Sequence, residues 1–205
     1  MKKTRFRALS LAIGSFFLSA AALAGESSSI YTTYHDDGAP QCERTYVDGL
    51  QHGVSRRYHP NGKLQEEGAF QQGKLSGPLR TYSPEGTLET ELRYEADELD
   101  GISRFYYPSG KLQMEVGFRR GARDGIAREY YEGGSMKTEW NYRGGKLDGL
   151  TRQYYPNGLL KAEAQFMGGK RDGLTKTYAE NGEIQFTHIY QNGSRVTSKL
   201  LASRE

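Results

Sequence analysis

The sequence predicts an all-β chain, an elongated twisted antiparallel meander of seven tandem 24-residue β-hairpin repeats, on three observations. Glycines that follow a turn-like residue recur at Gly38, Gly62, Gly86, Gly110, Gly134, Gly158 and Gly182 without an insertion. A tyrosine column, Tyr34, Tyr58, Tyr82, Tyr106, Tyr130, Tyr154 and Tyr178, keeps the same step. Mean hydropathy is -0.77, too polar for a thick aliphatic interior. Fixed chemistry at a fixed period means units that bury surface against their neighbours.

The chain opens with a different composition. Lys2, Lys3, Arg5 and Arg7 precede the apolar run from Ala8 to Leu18, and Ala22-Leu23-Ala24 supplies a small-x-small cleavage pattern, so residues 1–24 read as a secretory signal peptide. No later segment approaches ~20 continuous apolar residues, so no transmembrane segment is expected. The expectation is an exported protein, periplasmic or secreted, that starts near Gly25. Four of the 28 Lys and Arg lie in the leader, so the rest carries 24 against 25 acidic residues. The apparent basicity goes with the leader, and nucleic-acid binding, which needs a cationic face, loses its support.

Residues 25–29 read as a linker and 30–197 as the seven repeats. In one unit, Val54 to His59 and Lys63 to Phe70 are strands joined by Pro60-Asn61-Gly62, where Pro pre-sets φ and Gly accepts a positive one. Alternation puts Val54, Arg56 and Tyr58 on one face together with Leu64, Glu66, Gly68 and Phe70, and turns Lys63, Gln65 and Glu67 to the other. The segment from Gln71 to Gly77 reads as a second, looser reversal. Its third glycine column is vacant only at Asp97, a residue that tolerates positive φ. About fourteen short strands at ~4.8 Å each would make a ribbon on the order of 65 Å long. Ser27 to Thr33 and the tail from Val196 to Glu205 are the expected caps, with a short helix as one form of the tail; residues 198–205 follow the repeats.

Tyr154-Tyr155-Pro156-Asn157-Gly158-Leu159-Leu160, followed by Glu163, Phe166, Gly169-Lys170 and Asp172-Gly173, resembles the variant MORN repeat of the bacterial YwqK-like antitoxin family. The likeness covers about residues 30–197, with local departures at Pro40 and at Glu132-Gly133. It implies a non-enzymatic array that acts through protein or lipid contacts. Exported members resemble immunity proteins that silence periplasmic effectors, phospholipases of type VI secretion among them. A toxin or effector is thus the expected partner. An envelope scaffold that binds phospholipid head groups or a cell-wall polymer is the alternative.

Two sets of residues are candidates for partner binding. Arg56, Arg80, Arg104, Arg128 and Arg152, continued by Lys176, repeat two residues before the tyrosine column, and Glu43, Glu67, Glu91, Glu115, Glu139 and Glu163 keep the same period. Paired across each hairpin and laid over tyrosine rings, they would form a structural ladder; unpaired, six cations among tyrosines would form a binding stripe. The ladder requires a strand bulge, since strict alternation separates Arg56 from Glu67. The second set, Tyr107, Tyr131 and Tyr155, occupies places held elsewhere by His35, His59, Ser83 and Ala179, and reads either as a contact patch or as strand propensity.

Catalysis finds no footing. His35, His52, His59 and His188 are scattered, and the lone Cys42 has no patterned partner and no second cysteine for a disulfide. The glycines open no helix that could cradle phosphate. Asp100, Asp124, Asp148 and Asp172 offer one carboxylate per loop, too few oxygens for the ~6 to 8 ligands of calcium. No cofactor and no metal is expected.

Overall fold

The computed structural model describes residues 27–200, with side chains over 27–196. The expected signal peptide and the last residues of the tail lie outside that range. In chain order the strands are Ser28–Tyr34, Pro40–Val47, Leu50–Gln51 with Gly53–Tyr58, Leu64–Gln71, Lys74–Tyr82, Leu88–Glu95, Glu98–Leu99 with Gly101–Tyr106, Leu112–Arg119, Ala122–Tyr130, Met136–Arg143, Lys146–Leu147 with Gly149–Tyr154, Leu160–Met167, Lys170–Tyr178, Ile184–Gln191 and Ser194–Leu200. Each pairs antiparallel with the strands before and after it in the chain, from Ser28–Tyr34 on Pro40–Val47 to Ile184–Gln191 on Ser194–Leu200. The result is one open meander sheet. The tail contributes a strand through Leu200, not the short helix entertained for it, because Phe186 to Gln191 offers it a ready ladder.

Two kinds of reversal alternate. At His59–Lys63, the Gly62 N–H donates to the His59 carbonyl and the His59 N–H to Lys63, with Gly62 at φ 79°. The Asn61 side chain accepts from the Lys63 N–H at 3.0 Å, a local turn bond that suits Asn to this place. The other reversal is the tighter one, contrary to expectation. Gln71 pairs directly with Lys74, leaving only Gln72 and Gly73 between, at φ 50° and 83°. Two consecutive left-handed residues match the twist of the flanking strands. Asp97 occupies this place at φ 74°, as its vacancy in the glycine column anticipates. Gly77, at φ 118°, belongs to a bulge farther along the next strand.

The faces also differ from strict alternation. Arg56 stands opposite Glu67 and Arg57 opposite Glu66, but Tyr58 is opposite Leu64, so Gln65 is an extra residue. That bulge, repeated at the same place in the other hairpins, shifts parity by one. Glu67 therefore joins Val54, Arg56 and Tyr58 on one face, whereas Glu66, Gly68 and Phe70 turn to the other with Ser55. The two aromatic columns lie on opposite faces of the sheet.

The second of these faces holds the nearest thing to a core. Ser103, Val116, Ala127, Thr138, Thr151, Ala164, Thr175 and Cys42 are its buried residues. At two places a small residue on one strand opposes a large one on the next: Gly68 opposes Leu79, and Ala127 opposes Trp140. A Cβ on Gly68 would lie 2.9 Å from Leu79 Cδ1 and 3.2 Å from Leu75 Cδ1. Side chains of adjacent units thus cover one another, as a repeat with no second layer requires. Cys42 is a buried free thiol within this row, consistent with a filler role.

Candidate functional site

On the opposite face the cation and carboxylate columns meet in one cross-strand row. Glu43 faces Arg56, which faces Glu67, then Arg80, Glu91, Arg104, Glu115, Arg128, Glu139, Arg152, Glu163 and Lys176. Arg80 Nε lies 2.7 Å from Glu91, whose other oxygen takes Arg104 at 3.2 Å. Arg128 bridges Glu115 at 3.2 Å and Glu139 at 3.0 Å, and Arg152 reaches Glu139 at 3.5 Å. The bulge that the ladder required is present.

The electrostatics follow the pairing. The hydrogen bond from Arg80, opposed by burial, holds the Glu91 carboxyl below its ordinary value. Hydrogen bonds to carboxylates raise the Arg56, Arg80 and Arg128 guanidinium groups. Tyr178 is pushed up to about 12, first by burial and then by donating its hydroxyl proton to Glu163 at 2.8 Å. Tyr58 makes the same bond to Glu43, also at 2.8 Å. The anticipated stacking of these cations on tyrosine rings is absent among the described residues. The cation–ring contacts involve instead Arg123 with Tyr142, Lys137 with Tyr131, Lys161 with Tyr155 and Arg171 with Tyr190. Arg56, Arg80, Arg104, Arg128 and Arg152 therefore present charges already matched within the sheet.

Tyr107, Tyr131 and Tyr155 are half-buried and do structural work at the edge formed by the Pro-Asn-Gly turns. Their hydroxyls donate to the carbonyls of Tyr130, Tyr154 and Tyr178, each in the next repeat, at 2.7, 2.9 and 2.8 Å. His35 and His59 place Nε2 on the Tyr58 and Tyr82 carbonyls at 3.1 and 2.8 Å. Aromatic or imidazole, the column carries a donor that reaches one repeat ahead. That shared ability is the signal by which the sequence could have shown why His and Tyr interchange here.

At the other edge, the Asp column accepts backbone N–H groups from the following loop: Arg120 on Asp100, Gly144 on Asp124, Gly168 on Asp148 and Asn192 on Asp172. Arg119 and Arg143 also pair with Asp124 and Asp148. Among the described residues no group of three His, Cys, Asp or Glu is placed to hold a metal ion.

One surface escaped the sequence reading. Ile30, Val54, Ile102, Ile126 and Leu174 recur at one place per repeat, where a core stripe is the natural assignment. They lie instead on the ladder face, 41 to 57% exposed. Strict alternation buried them with Phe70; the bulge removes that partner. Beside the self-neutralised ladder they form an exposed aliphatic line, with Pro78 and Leu150 in its half-buried places.

The repeat model described as the MORN repeat variant matches residues 51–72, 99–119, 123–143, 147–167 and 171–192, more than half of the chain. The chain belongs to the MORN repeat variant family. Each matched MORN segment ends in or just before the two-residue turn and takes in the Pro-Asn-Gly-type turn, so the structural and family periods coincide. The stretch between residues 72 and 99 is passed over; it holds Pro78, Ser83 and the Ala96-Asp97 turn. No curated protein matches this MORN chain.

Proposed function

We propose that this MORN protein is a non-enzymatic binding protein of the cell envelope, of the immunity or antitoxin type, which captures and neutralises a toxic effector. The observation that carries the reading is the aliphatic line of Val54, Ile102, Ile126 and Leu174 on an uncovered sheet face. A large apolar line rimmed by polar residues on a repeat array is an interaction surface. The ladder beside it fixes its geometry and keeps both strand sets in register. Export rests on the basic and apolar leader in residues 1–24, and the effector class, including phospholipases, rests on the family resemblance.

The experiment is co-purification of the exported chain with the products of adjacent genes. A stable complex with a toxin encoded there is expected, and Ile102→Asp with Ile126→Asp should abolish it while the melting temperature stays nearly unchanged. No complex with any such toxin would count against the reading. Sedimentation with phosphatidylglycerol vesicles tests the envelope-scaffold alternative: the protein should stay in the supernatant. The ladder cations are already paired with carboxylates, which weighs against head-group binding.

A further inference from the structure

The turns of the Pro-Asn-Gly edge are joined by side chains everywhere but once. The first turn reaches the second through His35, and the second reaches the third through His59, Asn61 and Lys63. The fourth reaches the fifth through Tyr107 and Lys111, the fifth the sixth through Tyr131 and Ser135, and the sixth the seventh through Tyr155 and Asn157. Between the third turn and the fourth no side-chain bond forms among the described residues. Ser83 is too short to reach the Tyr106 carbonyl, and its hydroxyl turns back on the Glu85 and Thr87 N–H groups.

An open notch of about 560 Å³ lies at this interruption. Pro84 and Pro108 wall it, and Ser83, Glu85, Thr87, Glu89 and Tyr106 complete its lining. We infer that the notch is a receptor site for an imidazole ring, a histidine side chain of the protein partner, which takes the place that His59 holds one repeat earlier. Two observations fix the ring chemistry. The neighbouring histidine shows that an imidazole spans turn to turn and meets the equivalent carbonyl. The bulge residue beside the notch is Glu89, whereas beside Tyr131 and Tyr155 it is Lys137 and Lys161, set over the phenol rings. A carboxylate there favours a cationic donor ring over a phenol.

The inference rests on the binding-protein reading for the owner of the ring, but the notch is tested without any partner. Imidazole is titrated into the full exported chain at pH 6, where it is protonated, and the amide resonances are followed by NMR. Saturable millimolar shifts are expected at Ser83, Glu85, Thr87 and Tyr107, weaker by about threefold in Glu89→Gln. They should vanish in Ser83→His, which fills the notch from within and should raise the melting temperature. Ser83→Tyr serves as the second filling variant should the histidine alter the turn. Absent shifts, shifts that persist in both filled variants, or tighter binding of p-cresol than of imidazole would overturn the inference. Any of these leaves the aliphatic line and its toxin test untouched.

Discussion

Along one edge of the ribbon the Gly73 N–H donates to the Gln51 carbonyl, and Gly121, Gly145, Gly169 and Gly193 repeat that bond to Leu99, Arg123, Leu147 and Arg171. Along the other edge the same task falls to side chains: His35, His59, Tyr107, Tyr131 and Tyr155. A backbone bond survives any change of side chain that keeps the local φ, so the first edge persists even where Asp97 replaces glycine and donates to Leu75. A side-chain bond is lost with one substitution, and at Ser83 it is lost. The edge built from side chains is therefore the one on which a unit acquires individuality.

The largest test of this contrast is Gly145→Val. No atom lies within 4 Å of the position for a new Cβ, so its cost is the φ of +81° alone. A β-branched residue there should lose about 2 kcal/mol, read as a lowered denaturant midpoint. If Gly145→Val is neutral, the backbone edge does not depend on its turn geometry.

The ladder between the edges carries a pH signature. Glu91→Gln should cost about 1.5 kcal/mol at neutral pH, since Arg80 and Arg104 both keep their charge. The Glu91 carboxyl is held below 4.5 in the fold, so its contribution is full above 4.5 and fades as pH falls through its folded value. Wild type and variant should then converge in acid. At the alkaline end the dependence runs the other way, with stability lost as pH rises. Tyr178 is raised to about 12 from 10, so its contribution is complete below pH 10 and disappears as pH rises through 12. Tyr178→Phe should flatten that limb of the melting curve against pH.

Tyr131→Phe deletes a single stitch on the variable edge and should cost about 1 kcal/mol. The smallest effect belongs to Ala179→Tyr. The alanine makes no side-chain hydrogen bond for the change to break, and the shift should stay within about 0.5 kcal/mol. A clear gain there would mean that the new hydroxyl finds an acceptor.

The period, the places of the turns and the absence of a thick core are legible because glycine at positive φ and Pro-Asn-Gly leave direct marks in the sequence. The tightness of the second reversal is not, because Gly77 marks a bulge and no part of the turn. Nor is the sidedness. Gln65 carries no sign that it is the extra residue of a bulge, yet that one residue moves Phe70 to the face opposite Tyr58 and leaves Val54 uncovered. Pairing of Arg56 with Glu67 was readable only as a conditional on that bulge. The Ser83 gap was visible as a deviation in a column, but its meaning needed the carbonyl that His59 and Tyr107 reach, which lies in the next repeat.

The bond from Gly121 to Leu99 and that from Gly145 to Arg123 are one bond moved along by one unit. Excising residues 123–146 would therefore join Ala122 to Leu147 with every rung still facing its opposite charge, Glu115 now meeting Arg152 in place of Arg128. The molecule behaves as a ruler cut at any graduation: its reach can grow or shrink by whole modules through recombination, while whatever distinguishes one module from the next travels with it.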